Sequence, residues 1–426
     1  MNKRLWEEAN FLDKTDLLKD LRTQFCIPKQ EASKELDEIY FCGNSLGLQP
    51  KKTKELLIEE MDKWAKYGVK GHFLGTRPWM PFHKNLTHGL SQLVGGKPSE
   101  VVAMNSLTTN LHLLMVSFYQ PTKQRFKILL EEHSFPSDYF AIESQIKFHG
   151  FDPKEAMVFV KPEPGEEAIS TECITSAIER HQESLAVVLL PGVQYYTGQF
   201  FKLDSIARAA KKVGAMVGFD LAHAIGNVPL NLHDDQVDFA VWCHYKYLNS
   251  GPGAVGGAFV HEKHHHRTDL PRFSGWWGHK EESRFRMENK FEPIPTAEAW
   301  QLSNPPIASM ICIKASLDTF EAAGGILELR KKSILLTNFL EKALKENFSN
   351  RVSILTPSNH QERGAQLSIS ILKAKKEPKQ VYDEIEKKGV VCDWRYPNVI
   401  RIAPTPLYNQ FSEVARFIEI LDEAMR

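Results

Sequence analysis

Lys246 stands in "HYKYLNSGPG", with a tyrosine on each side, an apolar run before it and a glycine-rich turn after it. A lysine stripped of part of its hydration loses basicity, and its free amine becomes a nucleophile for carbonyl carbon. Upstream, "MVGFDLAH" sets Asp220 at the end of another apolar run, with His223 three residues on. A third stretch, "AMNSLTTNLHLLMVSFY", sets Asn105, Ser106, Thr108 and Thr109 directly before an apolar helical pattern. Free N–H groups and hydroxyls at a helix start hold phosphate.

An amine, a carboxylate and a phosphate seat are the parts that pyridoxal phosphate chemistry uses. The lysine takes the cofactor aldehyde as an imine, and the carboxylate keeps the pyridine nitrogen protonated so that the ring accepts electrons.

Those groups act together only if strand ends bring them together. The apolar runs "FKILLEE", "LAVVLLPG", "MVGFDLAH", "VDFAVWCH" and "GAVGGAFVH" alternate with helical patterns. One of these is "LDSIARAAKKVGA", where Ile206, Ala209, Ala210 and Val213 fall on one face. Unbroken apolar strands between helices predict an α/β fold with a mostly parallel sheet covered on both faces. Ligands of such sheets bind at the carboxyl ends of the strands, where Asp220 and the segment leading to Lys246 fall. The segment 1–36 reads as helical, and 37–310 as the large cofactor-binding α/β domain. After "SNPPI" the pattern changes to long helices mixed with short strands, which makes 311–426 a smaller α+β domain.

The chain has 426 residues, 42% hydrophobic and 25% charged, with 53 basic and 53 acidic side chains. A net charge of zero speaks against a nucleic-acid or anionic-membrane partner and leaves small metabolites as ligands. The N-terminus shows neither an export signal nor a transit pattern, no run reaches membrane-span length, and the six cysteines are scattered without a CxxC pair. Reduced thiols in a cytoplasmic protein are expected.

At these residues the chain resembles the kynureninases, within the fold-type-I pyridoxal phosphate-dependent transferase fold shared by class V aminotransferases. The likeness runs through "YFCGNSLGLQP", "RPWM", "NSLTTNLHLLMVSFY", "FPSDYFAIESQ", "YYTGQ", "GFDLAHAIGN", "HYKYLNSGPG", "GWWGH", "SNPPI", "ERGAQL", "GVVCDWRYPN" and "IRIAPTPLYN". It implies hydrolysis of the Cβ–Cγ bond of L-kynurenine or 3-hydroxy-L-kynurenine, giving L-alanine and the anthranilate, in tryptophan breakdown or nicotinamide-nucleotide synthesis. It further implies that Lys246 carries the cofactor and that Asp220, helped by Asp138, pairs with the pyridine nitrogen. Phe135 would stack on the ring, with Pro136 and Ser137 beside it and His223 near it. Leu107 and Thr108 would hold the phosphate, and Tyr245 would bind it and relay protons. Arg401 would hold the substrate's α-carboxylate through its bidentate fork. Ser45, His72 and Asn304 would line the aryl end. Trp276 and Asn304 would come from the partner subunit of a homodimer with shared sites. One departure stands out: Pro191 occupies a position where a hydroxyl residue is often found, and it offers neither hydroxyl nor N–H.

Two other readings compete. "HEKHH", 261–265, matches the H-E-x-x-H zinc-peptidase pattern, but it follows a glycine-rich strand and nears a proline, so a solvated, partly positive loop and no metal are expected. A cysteine desulfurase would use the same fold and a reactive thiol on a mobile loop, and neither Cys243 nor Cys392 has that setting.

Overall fold

The computed structural model describes residues 3–31, 33 and 35–426. The apolar runs form a seven-stranded sheet in the order Val101–Ala103, Gly256–Val260, Phe239–Cys243, Met216–Asp220, Leu185–Pro191, Lys127–Glu131, Met157–Val160. From Phe239–Cys243 to Met157–Val160 every pairing is parallel. Gly256–Val260 runs against both of its neighbours, so the sheet is mostly parallel with one reversed strand.

Between their charged end residues Lys127, Glu131 and Asp220 the strands are apolar because both faces are covered. Leu129, Val188, Leu190, Val217, Phe219, Ala240 and Trp242 point into one core, and Ile128, Leu130, Val187, Leu189, Phe239 and Val241 into the other. That is the two-residue period of a strand with apolar residues in both phases. Helix Leu203–Lys212 buries Leu203, Ile206, Ala207 and Ala210, while Ala209 and Val213 pack at its margin.

The second unit is a four-stranded antiparallel sheet, ordered Asp393–Arg395, Val399–Ile402, Leu367–Ile371, Val352–Ile354. Helix Ile307–Ala322 still packs in the larger core. The change of core falls inside helix Ile326–Phe348, with Leu329 on one side and Leu336 onward on the other, downstream of residue 310.

The N-terminal helix spans Lys3–Thr15, and the helical pattern expected to residue 36 continues only as a 3-10 turn, Lys19–Gln24. Positions 1, 2, 32 and 34 of that segment lie outside the described residues. The helix belongs to the C-terminal unit's core through Leu5 and Ala9. Asp13 caps the last helix, Phe411–Ala424, by accepting the N–H groups of Phe411 at 2.7 Å and Ser412 at 3.0 Å. No helix among the described residues is long and apolar enough to cross a membrane.

Candidate active site

Glu131, Pro191 and Asp220 close neighbouring parallel strands, and Tyr245 and Lys246 follow the end of the next one at Cys243. Of the expected cofactor residues, Leu107, Thr108, Phe135, Ser137, Asp138, Asp220, His223, Tyr245 and Lys246 line one cleft. Pro136 opens the helix Pro136–Phe148 between Phe135 and Ser137.

Lys246 Nζ lies 2.9 Å from His223 Nε2. Burial, then the positive charges of Lys246 and Arg401, push His223 well below the usual histidine range, so the imidazole beside the Lys246 amine is neutral. Its Nδ1 is buried without a protein partner. The amine also faces aromatic rings, 5.8 Å from the Phe135 centroid and 6.0 Å from that of Tyr245.

Three acids share the floor. Asp220 and Asp138 are hydrogen-bonded to each other, and burial pushes both upward. Asp138 rises well above the carboxylate range because the Asp220 charge adds to burial. Asp220 is held back by the Asp138 hydrogen bond, by Lys246 and by the Ala222 N–H, which it accepts at 2.7 Å. Asp138 therefore keeps the proton and donates it, and Asp220 carries the charge. Glu131, absent from the expected set, is the third acid, pushed up to about 7 by burial against the pull of its own N–H and the Ser134 hydroxyl. Its signal was an acid at the carboxyl end of an apolar run, the same signal that marks Asp220.

Helices Leu107–Phe118 and Pro136–Phe148 both begin at the cleft, and neither has a side-chain cap. Thr108 Oγ1 and Ser137 Oγ meet at 2.7 Å between the two starts. Ser106, one of the hydroxyl residues expected at the phosphate seat, bonds the Thr109 hydroxyl at 3.0 Å. First-turn N–H groups with adjoining hydroxyls form an anion seat. Burial, then the neighbouring Cys243 thiol, push the Tyr245 phenol upward. These residues fit pyridoxal phosphate. They offer an amine for the aldehyde, a charged acid backed by a protonated one for the ring nitrogen, and uncapped helix starts for the phosphate. The Asp138 Oδ1 and His223 Nδ1 atoms are buried without protein partners.

The expected substrate residues divide. Ser45 lies in the segment whose Gly47 N–H donates to the Tyr245 carbonyl at 2.8 Å. A Cβ on Gly47 would stand 2.3 Å from the Lys246 carbonyl oxygen, so this close approach requires glycine. Arg401 is 1% exposed and stands behind the cleft wall, donating from Nη1 to the carbonyl of Tyr195, whose residue lines the cleft. His72, Trp276 and Asn304 do not line it. His72 packs edge-on against Trp79 at 5.3 Å, and the indole N–H of the 42%-exposed Trp276 donates to the Arg284 carbonyl at 3.1 Å. Asn304 is exposed in a loop. Pro191 lines the cleft, so the missing hydroxyl is missing at the site itself.

The "HEKHH" segment is not the solvated loop expected. His261, His264 and His265 are buried. His264 meets Asp238 at 2.8 Å, His265 meets the Val260 carbonyl at 2.9 Å, and His261 Nδ1 accepts the Lys263 N–H at 3.1 Å. Glu262–His264 is a single 3-10 turn, which lacks the helix that the peptidase pattern requires. His261 does approach Glu100 and His233, but Glu100 already accepts the backbone N–H groups of Lys97 and Glu262, each at 2.8 Å. Cys243 and Cys392 offer no desulfurase nucleophile, because burial raises both thiols, and it pushes Cys42 up to about 12.

Residues 329–421 match the family described as Kynureninase C-terminal domain, and residues 80–238 match the DegT/DnrJ/EryC1/StrS aminotransferase family. Over 408 residues the chain is 52% identical to a kynureninase of Stenotrophomonas maltophilia, covering 96% of this chain and 95% of that one. Over 440 residues it is 48% identical to a kynureninase of Nematostella vectensis, covering 99% and 94%. Among solved structures, the cysteine desulfurase of Thermococcus onnurineus NA1 matches with a TM-score of 0.77 at 17% identity, over 96% of this chain and 98% of that one. A C-DES mutant with glycine covalently linked to its PLP cofactor matches with a TM-score of 0.75 at 16% identity, over 90% and 96%. At such identities the likeness is one of fold, that of the fold-type-I pyridoxal phosphate enzymes.

Proposed function

The chain belongs to the kynureninase family, and we propose that it hydrolyses the Cβ–Cγ bond of L-kynurenine and 3-hydroxy-L-kynurenine, releasing L-alanine and the corresponding anthranilate. The observation that carries the reading is the joining of Lys246, His223 and the Asp220–Asp138 pair in one cleft at the strand ends. Incubation with each substrate, followed by anthranilate fluorescence and alanine assay, tests it. Absence of both products from cofactor-loaded protein would overturn it.

Bound pyridoxal phosphate supplies the electron sink that acidifies the substrate's Cα–H and takes up the electrons of the breaking Cβ–Cγ bond. The protein's own groups do the rest. Lys246 holds the cofactor, and its freed amine is the base at Cα. Neutral His223 accepts from that amine and keeps it aimed into the cleft. Asp220 presents its charge to the ring nitrogen, and Asp138, holding the proton, supports that charge. Leu107 and Thr108, with the Ser137 hydroxyl beside Thr108, would hold the phosphate at the two helix starts together with Tyr245, and Phe135 would cover the ring with Pro136 beside it. Tyr245 relays the proton when water adds to the substrate's aryl ketone. Ser45, His72 and Asn304 receive the aryl end.

Arg401 binds the α-carboxylate in this reading. Arg401→Lys should raise KM by about tenfold or more, because an ammonium cannot reproduce the planar fork. Steady-state kinetics check it, and an unchanged kcat/KM would remove Arg401 from the site.

The protein works as a homodimer with shared sites. Supporting this are the exposed apolar residues Met61, Trp64, Val69 and Phe73 around His72, and Phe285 and Met287 beyond the 42%-exposed Trp276. Apolar surface on this scale wants a partner, and His72, Trp276 and Asn304 stand outside their own chain's cleft. Lys246→Ala and a disabling Trp276 or Asn304 variant should each be inactive. Mixed equally and reassembled, about half of the dimers are hybrids with one intact site of two, so activity recovers to roughly a quarter of wild type. No recovery, with hybrids proven by mass spectrometry, would mean that each site is built within one chain. A cytoplasmic setting agrees with the six free cysteines.

A further inference from the structure

Arg401 and Asp393 face each other across antiparallel strands, as register partners of Val399–Ile402 and Asp393–Arg395. Directly opposed residues present their side chains on one face of a sheet, so the pairing of these two is set by strand register. Arg401 Nη2 donates to Asp393 Oδ2 at 2.6 Å, and Nη1 to the Tyr195 carbonyl at 2.7 Å. The guanidinium is thus held from two sides, by its own sheet and by the loop that forms the cleft wall. The same loop is gripped by Gln366, whose amide donates to the Tyr195 carbonyl at 3.0 Å.

Two further features point to a missing anion. Arg401 Nε is buried without a partner. Arg395 reaches the same carboxylate, with Nε 3.1 Å from Asp393 Oδ1. Two guanidinium groups share one carboxylate, which leaves positive charge for a monoanion. We propose that Asp393 is the positioning residue for substrate carboxylate recognition: it fixes the Arg401 fork against the cleft wall and keeps Arg395 from displacing it. This rests on the reading of Arg401 as the carboxylate residue.

The opposite role is physically possible on the same geometry, since a carboxylate bonded to Arg401 could compete with the substrate's. The two roles give opposite signs. L-Alanine is titrated into the cofactor-loaded enzyme and followed by the cofactor's visible spectrum, with ethylamine as the probe lacking a carboxylate. Asp393→Ala should weaken alanine binding by about tenfold or more and leave ethylamine within about twofold, because a misaimed fork loses only the carboxylate contact. Asp393→Asn keeps one acceptor oxygen but loses the charge, so it should weaken alanine binding by about threefold to tenfold and leave ethylamine within about twofold, raising KM for kynurenine with kcat little changed. This second variant decides the matter if the alanine variant does not fold. Unchanged or tighter alanine binding, or equal weakening of ethylamine, would overturn the proposal. Arg401→Gln is run beside it. Full alanine affinity in Arg401→Gln would overturn the carboxylate reading itself, and the proposal with it. A weakened Arg401→Gln beside an unaffected Asp393→Ala would overturn the positioning role alone.

Discussion

Lys246→Ala should lose turnover by about 10⁴-fold or more, the scale of removing a positioned base together with the covalent anchor. Lys246 is the amine in direct contact with His223 at the cleft, at 2.9 Å. The neutral imidazole is a poor substitute, because burial, the larger cause of its lowered basicity, remains when Lys246 is removed. Losing the lysine therefore removes both the group that carries the cofactor and the group that moves the Cα proton, with no neighbour able to do both. Borohydride treatment of the wild-type holoenzyme should fix the cofactor on the peptide that contains Lys246, located by mass spectrometry. A label on another lysine, no label on cofactor-loaded protein, or a Lys246→Ala enzyme keeping more than about 1% of wild-type turnover would each remove Lys246 from the centre of the site. An added external amine should return part of the lost rate, because the base would then be supplied from solution.

Lys246 and Asp220 were legible from sequence for one reason: each is a charged residue at or just past the end of an apolar run, where a parallel sheet opens its crevice. The phosphate seat was legible from "NSLTT" because hydroxyl residues preceded a helical pattern, although the side-chain caps they could have formed are absent. Glu131 carried the same strand-end signal and was passed over, since an acid after "FKILL" also reads as the start of a solvated turn. Its burial comes from the segments that close the cleft around the strand end, a tertiary event that no local pattern records. The reversed strand Gly256–Val260 looks locally like its parallel neighbours, because apolar residues in both phases say that two faces are covered and nothing of direction. "HEKHH" looked solvated from its composition, yet Asp238 and the Val260 carbonyl, brought by adjacent strands, bury it. Ser45, His72, Trp276 and Asn304 entered through family likeness alone, and none of them lines the cleft. Arg401 also entered that way. Its place behind Tyr195 follows from the C-terminal unit gripping a loop of the larger one, a contact spanning much of the chain.

Asp220→Ala should lower kcat by about 10³-fold, some 4 kcal/mol of barrier, while cofactor affinity falls by less than about tenfold. The separation of the two effects follows from where the binding groups lie. The phosphate seat draws on Leu107, Thr108 and Ser137 and the covalent link on Lys246, so most of the cofactor's hold survives the loss of one acid. The rate does not, because the ring nitrogen keeps its proton only beside a negative charge, and Asp220 is the member of the pair that bears it. Asp138 cannot take over: burial keeps its proton on, and removing the Asp220 charge lowers its pKa only in part, since burial is the larger cause. Asp220→Asn should therefore be nearly as damaging as Asp220→Ala, although its shape is unchanged. Asp138→Asn is the contrasting variant. Asp138 acts as a neutral donor, an asparagine amide also donates, and the expected loss is within about tenfold. Single-turnover rates and cofactor titrations on the three variants decide the matter. An Asp220→Ala rate within about tenfold of wild type would end its pairing role. A larger loss in Asp138→Asn than in Asp220→Asn would reverse which acid holds the proton, and with it the direction of charge across the floor of the cleft.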